Sequence, residues 1–532
     1  MFSNRSATGA VSMNSAVTGR FRFYIDFAGD GSFSIADEIT AYVRDARWTI
    51  GMSSPYQLVA DETRIELTLV NKDKRFSPEV TTSPYYPNLK PQKLVKVEVE
   101  LNGVTTPLYL GFIDRINPSA QEMTSCLITA VSAKQYIQEQ KLNMPLLQNV
   151  RADEILEQIL ERVHLPPSMG DAWLLGIEGA SELGESTYLN DLSLATDFDT
   201  GNTTFAYVAD TWDADFQGNQ YVSKDWGTGF RGYTAIADVV KAELGRFYFD
   251  REGKAVFKAR DWLQKNVTLG ESYTQSDFVA SKYEYGIRIF NRITSKAYPR
   301  VVSASPEVIH ENADRFQVNA GNRRTLRTRF TSNEGYELAA LDPYISDLTL
   351  VPGSAQADYV VEWEARGGKF EFNAESAAYA HTNIEISANT VKSLNEIELV
   401  VEDGLSISQY GLRTMSVDSK LSDNQNLAQS IAEYRLNQWK NPKGEMLWVE
   451  LFLDSDAKYA QALNSSIGDR INISDSRLGH DADYFIIGEM FAYRKDSGHK
   501  VRWYLERADG NFAWILGETG YSELGETTFL GV

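Results

Sequence analysis

The sequence has almost no cysteine. Cys126 stands alone in 532 residues, which excludes an intrachain disulfide and a zinc site built from cysteines. Histidine is nearly as scarce, with five residues at 164, 310, 381, 480 and 499 and no HExxH or pair at metal-ligand spacing. No run of eighteen apolar residues occurs, so neither a membrane-spanning helix nor stable membrane association is expected. The small, polar residues 1–19 lack the apolar core of a signal peptide and read as a flexible arm. There is no G-x-x-x-x-G-K-[ST] and no G-x-S-x-G; RGGKF at 366–370 lacks the upstream glycine and the hydroxyl. A catalytic constellation is therefore not recognisable, and the chain is not expected to be an enzyme.

Basic residues are outnumbered, 52 against 73 acidic ones, for a net charge of −21. Affinity for duplex DNA comes mainly from Lys and Arg on phosphates, so a DNA-gripping role is disfavoured. An acidic wall past which DNA slides is compatible with this charge, as is simple solubility. Between Arg162 and Lys224 there is no Lys or Arg, while ten acidic residues occur, among them Asp197, Asp199 and Asp213. This segment, 163–223, is expected to face solvent, a lumen or a cation rather than a phosphate backbone.

What is present in quantity is strand signal. The chain is 43% hydrophobic and 12% aromatic, enough to fold several domains. TRIELTLVN at 63–71 alternates Ile65, Leu67 and Leu69 against Arg64, Glu66 and Thr68. VKVEVEL at 95–101 alternates likewise, turns at Asn102-Gly103 and returns through Leu108 and Leu110. Residues from about 20 to 145 thus predict an antiparallel barrel or sandwich. Helical periodicity is confined to 152–163, to 234–245 with a Thr cap and a terminal Gly245, and to 424–439. From about 320 to 400 the strand-rich text has the spacing of a small sandwich, inserted between two halves of a larger architecture.

Two motifs point to sites. In DFAGDGSFSIADE, Asp26, Asp30 and Asp37 fall at positions 1, 5 and 12 of a calcium loop, with Gly31 at position 6. Position 3 is Ala28 and the flanks are strand-like, so a turn whose Asp side chains bond their own backbone explains the same letters. No other cofactor is expected. The second motif is a repeat: AWLLGIEGASELGESTYL at 172–189 and AWILGETGYSELGETTFL at 513–530 match at 12 of 18 positions. Each copy has a Trp anchor (Trp173, Trp514), a central Leu (Leu183, Leu524) and a terminal aromatic (Tyr188, Phe529). Such a segment is too short to form its own core. It is expected to dock as an added strand on this subunit, a neighbour or a partner, or to fill two grooves of its own domain.

The stretch 60–116 resembles the opening domain of tailed-phage minor tail proteins of the tail-hub (baseplate-hub) family. The residues that carry the resemblance are Asn71, Asp73, Arg75, Phe76, Ser77 and Pro78, then Ser83, Pro84, Tyr85, Asn88, Leu89 and Pro91, then Gly111 and Asp114. Further stretches at 242–262, 289–300 and 428–442, the last leading into 466–474, resemble the same family in the same order, so the resemblance covers nearly the whole chain. It implies a mainly β fold with α/β elements: tube-like β-barrel domains, an α/β domain and an inserted immunoglobulin-like β-sandwich. The expected units are a first barrel at 20–147, an α/β domain at 148–285 holding the acidic insertion, and return strands at 286–319. The inserted sandwich follows at 320–404, a second barrel at 405–512 with helix 424–439, and a docking segment at 513–532. The resemblance also implies a homotrimeric virion protein at the phage tail tip, assembled in the host cytoplasm. Its expected partners are a distal tail or tube protein above, the tape-measure protein, and tail-tip or receptor-binding proteins below, with DNA only in transit. A receptor-binding adhesin and a cell-wall hydrolase of the tail tip are the alternatives.

Overall fold

The structure, a computed structural model, describes residues 19–119, 124–160, 162–163, 196–199, 204–208, 230–260, 262–265, 268–312, 315–332, 335–352, 354, 358–374, 377–418, 420–495, 498–508, 512–513 and 528–529. Its largest element is a twelve-stranded sheet. Six strands come from the N-terminal region: β1 (Arg20–Ile25), β2 (Val43–Gly51), β3 (Arg64–Val70), β4 (Leu94–Leu101), β5 (Val104–Pro118) and β6 (Ser125–Val131). Six come from later in the chain: β7 (Leu269–Thr274), β8 (Ala280–Tyr285), β9 (Gly444–Leu453), β10 (Arg470–Asp475), β11 (His480–Arg494) and β12 (Gly498–Arg507). The alternation expected of 63–71 is present, with Ile65, Leu67 and Leu69 buried; in 95–101 Val95, Val97 and Val99 are buried, but so is Glu98 on the other face. Between β4 and β5 the chain turns at Asn102 and Gly103, both with positive φ, as a tight hairpin requires.

Both halves of the sheet use one strand order. The first runs β1-β4-β5-β6-β3-β2, and the second runs β7-β10-β11-β12-β9-β8. Strand n of the first half therefore corresponds to strand n+6 of the second. The agreement extends to single residues. Reading across the strands gives the row Arg47–Glu66–Thr129–Arg115 in one half and Lys282–Trp448–Tyr504–Gly488 in the other. The fifth strand is 15 residues long in both and carries a bulge one residue before that row, between Ile113 and Arg115 and between Ile486 and Gly488. A positive-φ residue leads into the fourth strand of each half, Gln92 or Gly468, and donates its N–H to Ile113 or Ile486 at 2.7 Å. One pairing differs in direction: β1 is antiparallel to β4, whereas β7 is parallel to β10.

The two halves do not close into separate barrels. They are joined edge to edge through β2 and β11 and share one core, to which Trp48, Ile65 and Val97 contribute from the first half and Val449, Phe491 and Trp503 from the second. The two 3-10 turns at 35–42 lie along β1: Ile39 donates to Phe23 O at 2.8 Å and Tyr24 bridges to Glu38. The second half also draws its first two strands from 269–285, which the sequence assigned to the α/β domain. The long connection from 286 to 443 inserts between β8 and β9, so sequence distance hides this pairing.

The α/β unit packs α1 (Ala152–Leu160) on α2 (Gly232–Glu243) and on a small sheet of Arg246–Phe249, Ala255–Lys258 and Thr196–Phe198. Ile155, Ile159, Ile236, Val239 and Val240 form its buried stripe, the 3.6-residue pattern visible in the sequence. The helix boundary differs from expectation. Helix α2 begins at Gly232 without a side-chain cap, and Leu244 rather than Gly245 adopts the left-handed conformation; the Gly245 N–H then bonds Val240 O at 3.0 Å.

The inserted sandwich is larger than expected. Strands at 300–302, 307–312 and 316–318, expected to return to the hub core, instead pair with Tyr379–Ser393, as does Ala339–Leu350. A second sheet of Asn322–Arg329, Asp358–Glu364 and Gly367–Ala374 packs over them around Phe330, Phe370, Phe372, Ile384 and Ile386. Helix α3 (Gln425–Trp439), capped by Asn424, lies on a separate three-stranded sheet formed by Arg292–Ala297, Ile397–Glu402 and Thr414–Asp418.

Candidate functional site: the joint between the two sheet halves

The joint is built by strand pairing. β2 and β11 run antiparallel in register from Asp45↔Arg494 to Gly51↔Gly488, and Met52 N continues the ladder to Ile487 O at 3.0 Å. On the core side Trp48 stacks on Phe491 with ring centroids 5.4 Å apart and donates its indole N–H to Leu108 O at 3.0 Å. Gly51 has φ of 75°, and a Cβ there would meet Ile487 O at 2.7 Å and the Gly488 Cα at 3.0 Å. The close approach of the two backbones thus depends on glycine.

On the opposite face lies a cleft of about 490 Å³ spanning β2, β3, β6, β9, β11 and β12. Its charged groups are Asp45, Arg47, Glu66, Glu450, Arg494, Lys500 and Arg502. Arg494 pairs with Asp45 at 2.9 Å, and Lys500 and Arg502 pair with Glu450 at 2.9 and 2.8 Å. Burial would raise the Glu450 carboxyl, but the hydrogen bonds from Lys500 and Arg502 outweigh it and hold that group below its usual range. Arg47 donates to the Met490 sulfur at 3.0 Å. The lining has no histidine, cysteine or serine. Its four cations, Arg47, Arg494, Lys500 and Arg502, outnumber its three carboxylates, Asp45, Glu66 and Glu450, by one.

Behind the joint, one buried and two partly buried ion pairs fasten the other units to the sheet. Arg246, on the α/β hairpin, donates from one guanidinium nitrogen to both Glu506 oxygens at 2.8 Å and from the other to Gln57 O. Arg251, in the turn of the same hairpin, forks onto Glu489 at 2.6 Å and reaches the carbonyls of Ala462, Leu463 and Ser465. Burial opposes the Arg251 charge, yet Glu489 raises its pKa above the ordinary value. Arg288 meets Glu445 at 2.9 Å, and Tyr56 OH donates to the same carboxylate at 3.2 Å. The sequence singled out none of these pairs, because 73 acidic residues give every arginine many possible partners.

The sequence-predicted site residues are placed as follows. Asp26 accepts from Gly29 N at 2.6 Å and Gly31 N at 2.8 Å. Asp37 accepts from Phe27 N at 3.3 Å and Ser34 N at 2.9 Å, closing a capping box. Asp30 accepts from Ser32 N at 2.9 Å. The turn with Asp side chains on their own backbone is therefore the observed arrangement. Among the described residues no group of three or more His, Cys, Asp or Glu side chains is placed to hold a metal ion. Trp173, Leu183, Tyr188, Trp514 and Leu524 lie outside the described residues. Of the second repeat, Phe512–Ala513 pairs in parallel with Thr528–Phe529, so Phe529 stands opposite Ala513. Most of the acidic segment is likewise outside the described residues; Asp199 meets Lys258 at 3.3 Å.

The resembling corner at 71–91 is an ordered structure. Asn71 is buried, accepts from Phe76 N at 2.8 Å and donates to the Ser77 hydroxyl at 3.1 Å. Arg75 pairs with Asp73 at 2.5 Å and lies 3.9 Å over the Tyr42 ring. Tyr85 stacks on Phe27, and Leu89 and Phe76 are buried in the main core.

No protein-family model and no curated protein matches the chain. Solved structures similar to it include tail proteins. One is a tail protein from Neisseria meningitidis MC58, with TM-score 0.44 and 9% identity, covering 92% of this chain and 97% of that one. Another is the 43 kDa tail protein of prophage MuSo2 from Shewanella oneidensis, with TM-score 0.44 and 11% identity, covering 91% and 97%. A prophage tail protein from Listeria monocytogenes EGD-e has TM-score 0.38 and 9% identity, covering 91% and 94%.

Proposed function

We propose that this chain is a structural tail protein, the hub at the distal end of a phage tail tube, and that it works as a homotrimer. The observation that carries the reading is the repeated strand order: one chain holds two equivalent six-stranded units. Three copies then present six such units around one axis, which lets a three-fold assembly meet a six-fold tube. The ordered corner at 71–91 supports the family resemblance from which the hub role comes. In this role the tube and tape-measure proteins lie above, and tail-tip or receptor-binding proteins lie below. DNA passes through without being held, since a net charge of −21 repels phosphate. The protein belongs at the tail tip of the virion and is assembled in the host cytoplasm. Antibody against the purified chain, carried on gold and imaged on intact tails, tests the placement. Label confined to the distal tip is expected; label along the whole tail or at the head end overturns the proposal.

A further inference from the structure

The joint between the halves uses only one of two equivalent sets of edges. β2 pairs with the C-terminal part of β11, on the side where β10 has ended. Its counterparts are β8 and the C-terminal part of β5, beyond the end of β4 at Leu94↔Phe112. Among the described residues no strand pairs with β8 on its side away from β9, and none pairs with β5 on that side beyond Ile113.

The side chains tell the same story. Ile50 and Met52 are 1% and 0% exposed at the joint, whereas their counterparts Tyr285 and Ile287 are 68% and 40% exposed. Gly51 and Gly286 share a left-handed φ, but a Cβ at Gly286 would meet only Pro442, at 3.5 Å. Among the described residues the second half thus has the residues of the joint without a strand that covers them.

We propose that the missing strand is β5 of a second copy of this chain. Carrying over the observed register, Gly286 faces the partner's Arg115, Tyr285 faces the partner's Ile116, and Glu284 faces the partner's Asn117. Tyr285 and Ile116 then cover each other, and Glu284 lies diagonal to Arg115, within reach for a cross-strand ion pair. Each copy offers one β8 and one β5 edge, so the contact is head-to-tail and forms a ring when the rotation closes. That the ring holds three copies rests on the hub reading above.

Two variants test the proposal on the full chain. Tyr285→Asp places a carboxylate in the apolar contact without touching the core of the single copy. It is expected to leave the melting temperature of the monomer intact while raising the concentration needed for trimer at least tenfold. Tyr285→Cys with Ile116→Cys, in a Cys126→Ala background, is expected to give a disulfide-linked ladder ending at trimer, since opposed residues in antiparallel strands have Cα atoms about 4.5–5.5 Å apart. Neither single cysteine variant yields that ladder. If Tyr285→Asp remains trimeric and the double-cysteine chain forms trimers without cross-links, the edge assignment is wrong and the hub reading survives. If the unaltered chain is monomeric at micromolar concentration, both fall.

Discussion

At the residue scale the joint depends on a few side chains whose neighbours are fixed. Removing Arg251 leaves Glu489 buried without a partner, so Arg251→Ala is expected to cost about 3–5 kcal/mol in urea unfolding. The double variant Arg251→Met with Glu489→Leu recovers most of that loss if the penalty is the stranded charge. His499 is half-buried against Phe21 and Tyr493, shares a hydrogen bond with the Tyr459 hydroxyl, and is pushed down to about 4 by burial. The folded state therefore binds fewer protons than the unfolded one below the ordinary imidazole value of 6.5. Stability is fully present above that value and is lost as pH falls from about 6.5 towards 4. Melting curves at pH 7 and pH 4.5 should differ less in His499→Phe than in the unaltered chain; an equal difference removes His499 from the account. At the 26–37 loop the carboxylates are occupied by backbone N–H groups, so calcium or EDTA is expected to leave the melting temperature unchanged.

At the element scale the strands and three helices were legible because their side chains alternate or recur with the period of their element. The β4–β5 hairpin was visible for the same reason, helped by Asn102-Gly103. What could not be read was partnership. β7 and β8 lie more than 150 residues before β9 in sequence, and nothing local in ASKYEY distinguishes a strand of the large sheet from one of the α/β unit. The only trace of the second joint is the likeness of WTIG at 48–51 to YEYG at 283–286, aromatic-x-apolar-Gly in both. Similarly, Leu244 took the left-handed position because Gly245 was needed for close packing: a Cβ there would meet Lys258 O at 2.7 Å. The corner at 71–91 makes its own prediction. Asn71→Ala strands the buried Phe76 N–H and is expected to cost about 1–3 kcal/mol by thermal or urea unfolding. The tail repeat is tested by deleting 513–530, which should leave upstream melting unchanged and abolish attachment of a trimer neighbour or tail-tip partner in reconstituted tails. Complete tails formed by the truncated chain would refute the docking role.

At the scale of the whole molecule the account rests on one idea, that a duplicated six-stranded unit lets three chains build a ring of six. The continuous sheet, the joint and the counterparts of the joint left uncovered among the described residues all belong to that idea. Electron cryomicroscopy of the purified chain at micromolar concentration, with its mass measured in the same buffer, tests it most directly. The predicted result is a closed ring of three copies, about three times 59.7 kDa, with six sheet units around a central lumen. Single copies of about 59.7 kDa and no ring at that concentration would contradict it.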